Sequence, residues 1–386
     1  MYLKVDYSHA YCLLGLVPFL LRPLNRGLNA RSLPARVAVV GSGNWGSVAA
    51  RLVAANAARL GPAVEGEVRM WVHEETLDGG EPLTEYINRT GRNDKYLPDV
   101  DLGKNVRAVP DVIGAVEGAS HVVFVAPHQF LGGILDTIVE GGGGPGGRLL
   151  APDCRAVSLI KGMDVAPSGP RLLSSMIEER LGIECGVLMG ANIASEVAQE
   201  QLSEATLGTR GDATSWLQLF QTPYFSVRAT DDVETVELCG TLKNVVAVAA
   251  GLVDGLGMGA NTKAALMRTG LLEMARFAEL VAPKTARRDT MFESCGVADL
   301  IASCYGGRNR KVAAAYAAAG GQRSFEELEA ELLGGQKLQG VLTAHEVTEA
   351  LEAKGRRREF PLFSAVDRIA RGELSPADIT RYAELK

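Results

Sequence analysis

The chain has 386 residues, 47% of them hydrophobic and 22% charged, which is enough to bury two cores rather than one. Its formal net charge is −6 and its basic residues are dispersed, so no clustered cationic footprint marks a nucleic-acid partner. Six cysteines, at 12, 154, 185, 239, 295 and 304, form no C-x-x-C pair, and no H-E-x-x-H occurs; this spacing suits a reducing compartment and predicts no metal site.

The N-terminal stretch 1–36 carries Lys4, Arg22, Arg26, Arg31 and Arg36 against a single acid, Asp6. Its apolar run AYCLLGLVPFLL (10–21) is too short to span a bilayer and contains Pro18, so no stable membrane insertion is expected. Residues 1–35 therefore read as an extension. A cytoplasmic enzyme is the default, and an organellar transit peptide is the alternative.

From Arg36 onward, short apolar runs alternate with helix-like stretches. RVAVV (36–40), EVRMWVHE (67–74), SHVVFVAPH (120–128), RAVSLIKG (155–162), GVLMGAN (186–192) and YFSVRAT (224–230) read as strands, and SVAARLVAANAARL (47–60) as a helix. Near-continuous Val, Ile, Leu and Ala in such strands predicts a mainly parallel sheet covered on both faces. The stretch EGGGGPGGR (140–148) reads as a surface loop, and Arg356-Arg357-Arg358 as a solvated helix end. After Asp231 the pattern takes a helical period with few strand signals. The predicted fold class is an α/β Rossmann-type domain over 36–230 followed by an all-α domain over 231–386.

Gly41-Ser42-Gly43-Asn44-Trp45-Gly46 follows a strand and opens a helix, the context in which G-x-G-x-x-G binds a dinucleotide. The first glycine makes the turn, the second admits the pyrophosphate and the third packs helix against strand. Glu74 or Glu75, after the second strand, offers an acceptor for the adenine ribose, which favours NAD; a surface role is the alternative. His73 reads either as a neighbour of the adenine or as an exposed loop residue. Phe130, beyond the carboxyl end of the 120–128 strand, either walls the nicotinamide pocket or packs in the core.

Lys161 also closes a buried strand. Lys243 is more informative, because its helical neighbours Cys239, Gly240, Val246 and Ala247 include no acid to pair with it. A lysine on a small, apolar face is desolvated, and its pKa drops from about 10.4 toward the range of proton transfer. Snorkelling to the surface is the bland alternative. The segment GRNRK (307–311) supplies Arg308, Asn309, Arg310 and Lys311, either as a clamp for phosphate oxygens or as a solvated basic loop. Together these features describe hydride transfer at a carbonyl or alcohol carbon of a small anionic molecule.

The blocks GSGNWGS, KYLP, PHQF, SLIKG, MGANIASEVA, LKNVVAV, ESCGVADLI, CYGGRNRKV and GQKLQG resemble eukaryotic NAD-dependent glycerol-3-phosphate dehydrogenase, in order, from about Val37 to about Phe363. The resemblance implies NAD as cofactor, dihydroxyacetone phosphate and sn-glycerol 3-phosphate as substrates, a cleft between two domains and a homodimer. It implies a proton-transfer role for Lys243, substrate polarisation by Lys161 and a charge-orienting role for Asp299. It implies substrate contacts from Asn244, Ser303, Arg308 and Asn309. The cofactor site would take in Gly41 to Gly46 with Phe130, Lys161, Ala194, Arg308, Lys337 and Gln339. Two departures stand out: Ser303 replaces a threonine, and His73 takes the place of an aromatic residue. The rival readings are a related two-domain dehydrogenase of another hydroxy acid or sugar acid, and a non-catalytic NADH-sensing module.

Overall fold

A computed structural model describes residues 34–166, 169–333 and 338–385. The expected extension 1–35 lies almost wholly outside the described residues, and so do Cys12 and Lys337. Eight strands form one sheet: β1 (Ala35–Val40), β2 (Val64–Trp71), β3 (Val106–Val109), β4 (His121–Phe124), β5 (Arg155–Ser158), β8 (Glu184–Met189), β9 (Ser203–Gly208) and β10 (Phe225–Thr230). Between β5 and β8, β6 (Asp164–Ala166) and β7 (Gly169–Arg171) make a separate antiparallel ribbon. The sheet order is β10-β9-β8-β5-β4-β1-β2-β3, and every pairing is parallel except β8 with β9.

The central strands lack an alternating pattern because both faces are covered. Along β1, Val37 and Val39 join Val123 and Val157 in a core beneath the helix Asn44–Leu60. Ala38 and Val40 point the other way, to Phe124 and Ala156 and to the helices His128–Ile138 and Leu173–Leu181. The chain leaves β1 toward β2 and β3, then returns to the other side of β1 as β4. That reversal opens a crevice at the carboxyl ends of β1 and β4, where open α/β sheets take their ligands.

Every element after Thr230 among the described residues is a helix or a helical turn. The long helix Val233–Gly255 is the hub, with Val236, Leu242, Val246 and Leu252 all inaccessible to solvent. Three glycines let neighbours close on it: a Cβ at Gly240 would lie 2.5 Å from Met189 Sδ, at Gly251 2.4 Å from the Arg310 carbonyl, and at Gly255 2.1 Å from the Ala314 carbonyl. The hub is therefore wedged between β8 and the helix Arg308–Ala318. The expected α/β fold with a helical second half is observed. Strands β3, β6, β7 and β9 went unread in the sequence, and the 356–358 arginines pair locally, Arg356 with Glu359 and Arg357 with Glu352.

Candidate active site

The glycine turn lies in the crevice, and its three glycines have three different reasons to be there. Gly41 has φ +124°, a region that disfavours side chains, and a Cβ on it would sit 3.0 Å from the Ala126 backbone nitrogen. Gly46 presses helix on strand so closely that a Cβ would lie 2.1 Å from the Gly41 carbonyl oxygen. Gly43 is different: a Cβ there would meet nothing within 4 Å. It is also the N-cap of the helix Asn44–Leu60, with no side-chain cap. An open glycine at an uncapped helix N-terminus is the cradle a pyrophosphate requires, so these residues fit NAD. The side chains beside it brace the turn: Asn44 donates to the Tyr96 carbonyl at 3.0 Å, Trp45 to the Asn192 carbonyl at 2.9 Å, and Ser42 is buried.

The two acids read as ribose acceptors both have protein partners. Glu74 accepts from the Thr84 N–H at 3.2 Å and from the Thr84 hydroxyl, and Glu75 binds Lys95 and Tyr96. His73 is exposed and sets its ring edge-on to Trp71, 6.4 Å between centroids. Phe130 is 59% exposed in the first turn of the helix His128–Ile138, which removes core packing as its role. Ala194 is buried at the start of the helix Ala194–Ala198, just beyond β8. Gln339 opens the helix Gln339–Ala353 and lies against His128.

The second half of the site is a knot of charge. Lys243 has 5% of its side chain exposed and Asp299 4%, while Lys161 keeps 28%. Lys243 Nζ binds Asp299 Oδ1 directly and donates to Ser303 Oγ at 2.7 Å; Lys161 Nζ lies 3.4 Å from Asp299 Oδ2. Burial pushes the Lys243 amine down to about 7, helped by the neighbouring Lys161 charge and opposed by Asp299. Snorkelling is excluded by that burial. The sequence showed no acid near Lys243 because the acid comes from the distant helix Asp299–Gly306.

Lys161 and Lys243 reach this point from different parts of the fold, held together by Thr241. The Thr241 hydroxyl accepts from Gly162 N–H at 3.1 Å and donates to the Gly162 carbonyl at 3.0 Å. That tie went unread in the sequence. A threonine two residues before a lysine carries no local signal of it.

Beyond the lysines, Asn244 accepts at Oδ1 from Asn309 Nδ2 at 3.0 Å, and Asn309 Oδ1 accepts from the Gly340 N–H at 2.9 Å. Arg308 is the first residue of the helix Arg308–Ala318 after an N-cap, Gly307, without a side-chain cap. It retains solvent contact, yet the surrounding protein lowers its guanidinium pKa by desolvation, as at the wall of a cleft. The rest of GRNRK is structural: Arg310 binds Asp254 at 2.5 Å and Lys311 donates to the Leu332 carbonyl at 3.4 Å. No group of three or more metal-ligating side chains occurs among the described residues.

Residues 36–214 match the family described as NAD-dependent glycerol-3-phosphate dehydrogenase N-terminus, and residues 232–381 its C-terminus. The chain is 58% identical to the NAD(+) glycerol-3-phosphate dehydrogenase of Cuphea lanceolata, over 91% of this chain and 92% of that one. It is 56% identical to the chloroplastic enzyme 1 of Arabidopsis thaliana, over 94% and 88%, and 52% identical to the cytoplasmic enzyme of Homo sapiens, over 86% and 93%. Among solved structures, that of Dunaliella salina superposes with a TM-score of 0.85 at 50% identity, covering 91% of this chain and 60% of that longer one. That of Saccharomyces cerevisiae gives 0.82 at 43% identity, over 91% and 99%. The open glycine cradle, the desolvated lysine and these relatives converge: the chain belongs to the NAD-dependent glycerol-3-phosphate dehydrogenase family and is an NAD-using oxidoreductase.

Proposed function

We propose that the chain interconverts dihydroxyacetone phosphate and sn-glycerol 3-phosphate, with residues 36–230 carrying the cofactor and 231–386 most of the substrate site. The single observation that carries the assignment is Lys243, a buried amine poised near neutrality and held by Asp299 and Ser303. NAD, when bound, supplies or takes the hydride at C2. Lys243 gives its proton to the C2 oxygen in reduction and recovers it in oxidation. Lys161 polarises that oxygen, and Asp299 orients both amines. Ser303 keeps the hydroxyl of the threonine it replaces and receives the Lys243 N–H.

Arg308 and Asn309, at an uncapped helix N-terminus, receive the substrate phosphate, and Asn244 positions Asn309. On the cofactor side, Gly41 to Gly46 hold the pyrophosphate, while Phe130, Ala194, Gln339 and Lys337 complete the site. Following NADH consumption spectrophotometrically with dihydroxyacetone phosphate, then with unphosphorylated dihydroxyacetone, tests this reading. Equal rates with the two ketones would overturn the phosphate assignment.

The protein is read as a homodimer, which light scattering on the purified chain decides. For the compartment, the cytoplasm is the reading and an organelle the rival; relatives carry both cytoplasmic and chloroplastic names. Fusing residues 1–40 to a fluorescent reporter separates the two.

A further inference from the structure

Outside the residues that touch cofactor or substrate in this reading, one side chain acts on the glycine turn from beneath. Asn93, in the segment GRNDKYLP, is fully buried. Its Nδ2 donates to the Ser42 carbonyl at 2.8 Å and to Ser47 Oγ at 2.9 Å. Ser47 Oγ itself donates to the Ser42 carbonyl at 3.3 Å, so that one carbonyl is gripped from two sides. The Asn93 backbone is fixed as well, because its carbonyl accepts from Tyr96 and Leu97 N–H at 3.2 and 2.8 Å.

The Ser42 carbonyl belongs to the same peptide unit as the Gly43 N–H. In a trans peptide these two groups point in opposite directions, and the structure contains no cis bond among the described residues. Pulling the carbonyl inward onto Asn93 therefore aims the Gly43 N–H outward. A Cβ on Gly43 would meet nothing within 4 Å, so the turn is open to a ligand at this residue. The segment is anchored at its far end too: Tyr96 takes the Asn44 amide on its carbonyl, and Lys95 and Tyr96 bind Glu75 beyond β2. A single strap thus joins the turns after β1 and β2, the two that flank a dinucleotide in this class of fold.

We propose that Asn93 is a positioning residue for the coenzyme: by holding the Ser42 carbonyl, it presets the Gly43 N–H toward the pyrophosphate. The proposal rests on the glycine turn being the NAD site. Preorganising a donor to an anion lowers the cost of binding without touching the chemical step.

The test is titration of purified protein with NADH, followed by protein fluorescence, for wild type, Asn93→Ala, Asn93→Asp and Ser47→Ala, alongside steady-state kinetics and thermal melts. Misaligning the charge-assisted bond from the Gly43 N–H to the pyrophosphate corresponds to about a 10-fold rise in the NADH Kd. Asn93→Ala and Asn93→Asp should both show that rise, while kcat at saturating NADH and the KM for dihydroxyacetone phosphate stay within about 3-fold. Ser47→Ala leaves the Asn93 bond to Ser42 intact, and its Kd should move less than that of either Asn93 variant. A merely structural asparagine would lower the melting temperature and the yield of folded protein while the folded fraction kept the wild-type NADH KM. Unchanged Kd in folded Asn93 variants, or failure of both to fold, overturns the proposal. Wild-type protein that binds no NADH would instead overturn the cofactor site itself.

Discussion

Lys161 and Lys243 point at opposite oxygens of one carboxylate, Asp299, at 3.4 Å from Oδ2 and in direct contact with Oδ1. Two amines sharing one negative charge in a nearly dry site cannot both keep their protons cheaply, and the more buried one yields first. Lys243 is that one. The arrangement makes proton transfer possible at neutral pH.

Lys243→Ala removes the proton source and should lower turnover by about 10²–10⁴-fold, the usual worth of a positioned general acid. Binding of NADH should persist, since the glycine turn is untouched. Rates at saturating coenzyme together with an NADH titration separate the two effects.

The pH dependence follows from the same amine. With a pKa near 7, Lys243 is protonated below that value and neutral above it. Ketone reduction should fall as pH rises through about 7, and alcohol oxidation should rise over the same interval. Profiles that run parallel in the two directions would remove Lys243 as the shared acid and base.

Asp299→Asn takes away the one influence that raises the Lys243 pKa among its charged neighbours. The pH midpoint for reduction should move lower. Turnover at pH 7 should drop by up to about 10-fold for each unit the Lys243 pKa falls, because less of the amine carries the proton the ketone receives. An unchanged midpoint would show that Asp299 acts only through packing.

Gly43→Ala and Gly46→Ala separate binding from folding within one turn. Alanine at 43 meets no atom within 4 Å and should leave the melting temperature within about 2 °C while weakening NADH binding. At 46 the added methyl would lie 2.1 Å from backbone, and loss of about 1–3 kcal/mol of stability is expected.

Two buried acids outside the lysine–aspartate cluster set a stability slope. Glu237 accepts from the Leu173 N–H at 2.6 Å and Glu273 from the Leu362 and Phe363 N–H at 2.9 and 3.0 Å, each capping a helix from outside it. Burial raises both carboxyls to about 7. Unfolded glutamate titrates near 4.3, so between there and about 7 the folded state holds more protons and stability falls as pH rises. Denaturant midpoints between pH 5 and pH 8 should show a shallower fall for Glu273→Gln than for wild type, by roughly 1–3 kcal/mol.

What was readable in the sequence was local. The glycine turn carries its meaning in six consecutive residues, and Lys243 betrays itself by four apolar neighbours on its own helix. Phe130 was readable only as far as two alternatives, and its exposure removes one of them, core packing. Glu74 and Glu75 read as either ribose acceptors or surface acids, and their bonds to Thr84, Lys95 and Tyr96 stayed hidden because those partners lie elsewhere in the chain. Asp299 and Thr241 reveal their contacts only once the helices pack. Strand β9 escaped notice because its polar SEATLG run pairs antiparallel to β8 within an otherwise parallel sheet. The hub helix Val233–Gly255 shows the same limit from the other side. Its mean hydropathy of 1.6 would suit a membrane, yet that stretch is wholly buried within the protein.

The hydroxyl of Thr241 grips both ends of one glycine's hydrogen-bonding capacity. Its single hydrogen also has the Glu237 carbonyl within reach at 3.1 Å, so the oxygen's grip on the Gly162 N–H persists whichever carbonyl receives that hydrogen. Lys161 and Lys243 therefore ride on one chassis, and whatever breathing admits and releases ligands must be absorbed at other seams. The spacing of the amines is a built-in constant of the machine, and its tempo belongs to the joints around it.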